Sequence, residues 1–227
     1  MGQPEEPSFE EMVAYVKVRE YLRWHRPVLE KDLGADDDLF RSGEDSVKFG
    51  FEKGTNLWGF YVGGYFNAAR SLLEGPNDKF FLTFAIYPVL FLYRHYIELE
   101  LKSLMMTCGK ILQLEHPDFG NDHDLLSLWS KLKQMLPPDH LALENAVHVE
   151  RILTEFSTID PKSMDTRYGL RKDLKTPAIS NPIDISISQL RQTMDRLEGE
   201  FRVLDAVVVE IEREERRLKA KEAESKP

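Results

Sequence analysis

The run Tyr93-Arg94-His95-Tyr96-Ile97-Glu98-Leu99-Glu100-Leu101-Lys102 sets an arginine, a histidine, a glutamate and a lysine inside an otherwise apolar, strongly helical segment. At ~100° per residue, with Arg94 as origin, Glu98 falls at about 40°, Lys102 at about 80° and His95 at about 100°, so the four share one arc. Leu90, Ile97, Leu101 and Leu104 flank the arc on one side, and Leu92, Leu99 and Met106 on the other. The opposite face, with Tyr96, Glu100 and Ser103, reads as solvated. Two kinds of arrangement fit. One is a surface ladder of i, i+4 ion pairs, Arg94 to Glu98 to Lys102, stabilising by about 0.3 kcal/mol per pair. The other is a cleft facing a second helix, where Glu98 holds Arg94 in place and His95 gives or takes a proton near neutral pH. Apolar flanking on both sides favours the cleft.

Two further clusters carry polar chemistry. His123-Asp124 either joins the arc in space or simply caps the helix that follows, with Asp124 beside the positive end of its dipole. Arg167-Tyr168 and Arg171-Lys172 form a basic cluster in an acidic protein; guanidinium forks recognise phosphate and tyrosine offers a stacking face, and the alternative is a solvated loop. The histidines at 95, 116, 123, 140 and 148 show neither HxxxH nor HxH spacing, so no zinc site is indicated. A glycine-rich phosphate loop and a G-x-S-x-G nucleophile elbow are also missing, and no cofactor is expected.

The elements that must position these groups are helical. Residues from Thr55 to about Leu73 keep helical spacing at Leu57, Tyr61, Tyr65, Ala68 and Leu72, and Gly59, Gly63 and Gly64 imply that another helix packs close there. After a turn at Gly75-Pro76-Asn77-Asp78, the central helix runs from about Lys79 to Thr107, kinked or restarted at Pro88, and stops at Gly109. Asn121 to Asp124 cap a helix from Leu125 to Met135, ended by Pro137-Pro138, and a further helix spans about Leu141 to Phe156. The stretch 156–182 has no period, and an unpatterned loop longer than ~15 residues inside a compact domain is usually functional or disordered.

The last helix is predicted to open at Asn181 as N-cap, with Pro182 in the first turn and Asp184 near the dipole's positive end. Ile183, Ile187, Leu190, Met194, Leu197, Phe201, Leu204, Val208 and Ile211 alternate steps of four and three, which is a heptad seam. That seam serves either core packing or pairing with a second copy. Upstream, Ser8 and Glu11 resemble a capping box opening a helix through Tyr21 and Trp24, and residues 31–50 read as loop. No segment alternates with period two for long enough to make a sheet. The expected fold is therefore all-α, a single bundle of five to six helices with a long heptad-patterned C-terminal helix. An extension at 1–50 precedes the bundle at 51–215, and a charged tail follows at 216–227.

Composition narrows the function classes. A chain of 227 residues can bury one sizeable core. A net charge of −9 argues against a general nucleic-acid coat, since non-specific phosphate affinity comes from clustered Lys and Arg; any such site must be a local basic pocket. Cys108 is the only cysteine, which fits a reducing, cytosolic location. The acidic N-terminus lacks the basic and apolar regions of a signal peptide, and the greasy run from Phe80 to Tyr93 falls short of the ~20 residues that span a bilayer, so no membrane is expected.

In order, Glu98-Leu99-Glu100-Leu101-Lys102 in the central helix, His123-Asp124-Leu125 opening the next, and Arg167-Tyr168 ahead of the last long helix resemble the HEPN superfamily of compact helical proteins. Tyr87 to His95, with the form Tyr-Pro-x-x-Phe-Leu-Tyr-Arg-His, is similar to a group of uncharacterised bacterial proteins with the same order. The resemblance covers roughly residues 55 to 210. It implies a bundle that often dimerises, and either a metal-independent ribonuclease of toxin or anti-phage type or a non-catalytic module that binds nucleotides or partner proteins. RNA or a nucleotide is then the implied ligand, with a homodimer and an antitoxin or other partner protein. Ribonuclease members separate an arginine and a histidine by a short spacer, whereas Arg94 and His95 are adjacent here. On this reading Arg94, His95 and Glu98 are the catalytic candidates, and Lys102, His123, Asp124, Arg167, Tyr168 and Arg171 the ligand-binding ones.

Overall fold

The computed structural model describes residues 57–75, 79–114, 117–120, 123–136 and 143–224. The capping box at Ser8, the helix through Trp24 and the loop at 31–50 lie outside the described residues. Within them the chain forms five helices and no strand: α1 (Leu57–Glu74), α2 (Lys79–Ile111), α3 (Leu125–Met135), α4 (Leu143–Ile159) and α5 (Ile187–Glu224). The all-α reading is correct.

Helix α2 is the spine. It runs unbroken through Pro88, so of the expected kink or restart the restart is absent; proline removes one N–H and leaves the rest of the ladder intact. It is also long and apolar enough to cross a membrane by length and composition, a property that the core helix of a soluble protein shares. Val89, Tyr93, Ile97, Leu101 and Leu104 are buried along it. Its end lies at Ile111, two residues beyond Gly109. Gly109 is required for a different reason than termination: a Cβ there would meet Pro117 Cγ at 2.8 Å.

Helix α1 packs on α2 through Phe66, Ala69 and Leu73, with Val62 partly buried. This stripe has the expected steps of four and three but is centred one residue on from the predicted Leu57, Tyr61, Tyr65, Ala68 and Leu72, of which Tyr65 and Leu72 pack at its edge while Leu57 and Tyr61 are exposed. Phe66 lies 5.9 Å from Tyr93 and 5.0 Å from Tyr96, and Tyr96 meets Phe201 of α5 edge-on at 6.2 Å. The face of α2 read as solvated is therefore covered: Tyr96 is buried between α1 and α5. At Gly63 and Gly64 the close approach inferred from the glycines is absent, because an added Cβ there meets nothing within 4 Å.

Helix α5 starts at Ile187, about five residues later than predicted. Ser186, not Asn181, occupies the N-cap, its Oγ accepting from Gln189 N at 3.3 Å and its carbonyl from Leu190 N. Asn181 to Ser186 are non-helical, so Ile183 drops out of the seam. From Met194 through Leu197, Phe201, Leu204 and Val208 the seam is buried within this chain's own core, each such side chain contributing about 1.5–3 kcal/mol. A part-buried His148–Glu200 pair at 2.6 Å adds a polar tie between α4 and α5.

Candidate functional site

Arg94 has no exposed surface, so its charge needs partners within the protein. It finds them mostly in backbone carbonyls. Its Nε donates to Asp160 O at 2.8 Å, and Nη2 to His123 O at 2.7 Å and Pro161 O at 3.4 Å, while Nη1 reaches Glu98 Oε2 at 3.4 Å. One side chain of α2 thus ties down the start of α3 and the end of α4. Its reading as a group touching ligand is corrected: the carbonyls occupy the guanidinium, and Arg94 is a positioning residue.

The Asp160 and Pro161 carbonyls arrive there because Asp160 organises the turn after α4. Its carboxylate accepts from Met164 N at 2.7 Å, Asp165 N at 3.0 Å, Thr166 N at 3.2 Å and Thr166 Oγ1 at 2.5 Å. Burial disfavours its charge, but these hydrogen bonds outweigh that and hold its pKa below the ordinary carboxylate value. Sequence reasoning missed Asp160, although Asp-Pro directly after a helix is a turn signal.

Glu98 is the hub. Only 1% of its side chain is exposed, and Oε1 accepts from Lys102 Nζ at 2.6 Å and pairs with His123 Nδ1 at 2.8 Å. Burial works against the charge, yet the hydrogen bonds from Lys102 and His123 prevail and lower its pKa. An ionised carboxylate only accepts, so Nδ1 of His123 carries the proton and Nε2 of the neutral ring keeps its lone pair. The imidazole is 56% exposed and Lys102 18%. The ladder Arg94–Glu98–Lys102 exists, but it is buried and not the surface ladder that was the alternative.

Around this hub His95 and Arg167 close one side. The His95 ring meets Tyr65 edge-on at 4.4 Å and stacks on Phe91 at 5.8 Å, and burial lowers its pKa, with Lys102, His123 and Arg167 adding to the effect against Glu98. The Arg167 guanidinium lies 5.7 Å from the rings of both Phe91 and Tyr168, and its Nε donates to Ser163 O at 2.6 Å.

The remaining predicted residues are placed elsewhere. Asp124 is the N-cap of α3, accepting from Leu126 N and Ser127 N, which is the capping alternative. Tyr168 and Arg171 belong to the wall of a groove in the 161–174 segment. Among the described residues no group of three or more His, Cys, Asp or Glu side chains is placed to hold a metal. Burial pushes the Cys108 thiol up to about 11, which makes it a poor nucleophile.

Chemically, the site offers an exposed imidazole oriented by a buried carboxylate, an adjacent ammonium and an exposed guanidinium. That combination can move a proton beside a bound anion. Comparison of the chain with protein-family models, with curated proteins and with solved structures finds no match in any of the three.

Proposed function

We propose that this chain is a HEPN-like, cytoplasmic protein of bacterial defence or toxin type that binds a phosphate of RNA or of a nucleotide at the Lys102, His123 and Arg167 face and cleaves RNA without metal. The observation that carries the reading is the Glu98–His123 pair, a buried carboxylate holding an imidazole more than half exposed. This moves the acid–base role from His95 to His123. Nε2 of His123 removes the proton of a ribose 2′-hydroxyl, whose oxygen attacks the adjacent phosphorus to form a 2′,3′-cyclic phosphate, while the 5′-oxygen leaves and takes up a proton from water. Lys102 and Arg167 stabilise the charge that develops on the phosphoryl oxygens.

The test is incubation of the purified chain with labelled RNA in chelator, beside His123→Ala and Lys102→Gln. Cleavage by the parent, lost in His123→Ala with the fold intact, supports the reading; cleavage retained in His123→Ala sinks it. A second reading, a non-catalytic dimeric interaction module, draws on the complete burial of Arg94 and Glu98, as in a network that only fixes helix register. Folded protein that neither cleaves nor binds RNA at low salt favours that module.

A further inference from the structure

The segment between α4 and α5 is built around a groove that the reading above does not use. About 620 Å³ in volume, it is lined by Pro161, Met164, Tyr168, Leu170 and Leu174 with Lys162, Arg171 and Lys172, which is the size of a small-molecule site. Lys102, His95 and His123 take no part in it. The walls are preformed: Asp160 holds the turn at 163–166, and Leu170 bridges Pro177, with Arg171 N donating to Thr176 O at 2.8 Å and Ala178 N to Gly169 O at 3.1 Å.

Two features of the lining leave apolar and aromatic surface open to an occupant. Leu174 is 77% exposed and sits at φ 55°, a left-handed backbone that a bulky side chain rarely adopts. Tyr168 is 54% exposed, and Arg167 lies over its ring. Within a chain of net charge −9, the groove carries three cations against the carboxylates Asp165 and Asp173. Asp173 is consumed by its own turn, accepting from Lys175 N, Thr176 N and Thr176 Oγ1. Neither Lys162 nor Lys172 has an ion-pair partner among the described residues.

We infer that this groove binds a small, flat anion, an aromatic ring bearing a phosphate or a carboxylate. The ring stacks on Tyr168 against Leu170 and Leu174, and the anionic group meets Lys162, Arg171 and Lys172. This site stands independently of RNA cleavage at His123. The two are linked through Arg94, which holds both the Pro161 and the His123 carbonyl, and through Arg167, which lies over the Tyr168 ring.

The experiment is calorimetric titration of the full chain with adenosine monophosphate, benzoate, adenosine and inorganic phosphate. Saturable binding is expected for the monophosphate, for benzoate or for both, which separates phosphate from carboxylate as the anionic group. Adenosine and inorganic phosphate, each holding half of the recognition, should bind at least about tenfold more weakly. Tyr168→Leu, which keeps the groove apolar, should weaken binding about tenfold. The double variant Lys162→Gln with Lys172→Gln tests the charge should Tyr168→Leu fail to fold, and should weaken binding similarly and flatten its salt dependence. Binding that persists in His123→Ala and falls in Tyr168→Leu belongs to this groove; binding lost in His123→Ala belongs to the Lys102–His123 face and would overturn the assignment. No saturable binding of the monophosphate or benzoate, full affinity in both variants, or binding confined to oligonucleotides or acidic peptides would each overturn the assignment.

Discussion

Nδ1 of His123 lies 2.8 Å from Oε1 of Glu98, a carboxylate one hundredth exposed beside an imidazole more than half exposed. The asymmetry separates the two roles: the histidine is the working surface and the glutamate its anchor. In Glu98→Gln the amide has one acceptor for the donors of Lys102, His123 and Arg94, and its NH2 must face at least one of them. Urea denaturation should show Glu98→Gln destabilised by about 2–4 kcal/mol, and His123→Ala by under about 1 kcal/mol. Equal, small losses would mean that Glu98 is not the hub.

Arg94 draws the segment after α4 onto α2 through the Asp160 and Pro161 carbonyls. Arg94→Met leaves those carbonyls and that of His123 without their donor, and Glu98 with Lys102 as its remaining cation. Hydrogen exchange should then accelerate at the amides of Met164, Asp165 and Thr166, at least about tenfold, before α1 and α2 loosen. Unchanged exchange there would show that the Asp160 turn stands without Arg94.

How much of this the sequence carried can be argued residue by residue. The arc Arg94–Glu98–Lys102 was legible because helical spacing alone brings i and i+4 together. Its burial followed from the apolar residues on both sides. The Asp124 cap and the seam of α5 were visible for the same local reasons, but spacing alone left open whether Asp124 joined the arc and whether the seam met this chain's core or a second copy. The phase of α1 was not: stripes at Tyr61/Tyr65/Ala68/Leu72 and at Val62/Phe66/Ala69/Leu73 share one spacing, and only the partner aromatic rings of Tyr93 and Tyr96 choose between them. The start of α5 was misread because Asn181-Pro182 has the composition of a helix start. Ser186 supplies the cap nearer the seam, and the chain up to it stays non-helical. Asp160-Pro161 carries a turn signal, but the role of Asp160 was not legible, because that role is to place carbonyls, and carbonyls carry no sequence signature.

Asp160 predicts behaviour in acid. Its folded pKa lies below the ordinary 3.8, so its contribution to stability is present above that value and is lost as pH falls through the folded one. Asp160→Asn turns an NH2 toward backbone N–H donors and should cost about 1–3 kcal/mol at pH 7. Thermal melts from pH 7 down to pH 3 should show the gap between parent and variant narrowing as pH drops. A gap constant down to pH 3 would rule out an ionised Asp160 as the turn's organiser.

Glu100 predicts the opposite slope. Burial first, then the like charges of Asp205 and Glu198, raise it to about 7, and it has no ion-pair partner among the described residues. The folded state therefore holds a proton that the unfolded chain has released, and stability falls as pH rises from about 4.5 toward 7. Glu100→Gln should be more stable than the parent at pH 8, on the order of 2 kcal/mol, with no difference at pH 4. Melts at the two pH values decide it.

Glycines on the two neighbouring helices should respond with opposite sign. Gly64 lies inside α1, exposed, with nothing within 4 Å of an added Cβ; Gly64→Ala only removes backbone freedom from the unfolded chain and should stabilise by roughly 0.5–1 kcal/mol. Gly109 lies inside α2 with the same intrinsic preference for alanine, but its Cβ would fall 2.8 Å from Pro117 Cγ, on a rigid ring that cannot swing aside. Overpacking of this kind costs about 1–3 kcal/mol, more than the propensity gain, so Gly109→Ala should be destabilising. Chemical denaturation of the two variants side by side separates the effects. A stabilising Gly109→Ala would show that the 117–120 segment does not pack on the end of α2 in solution.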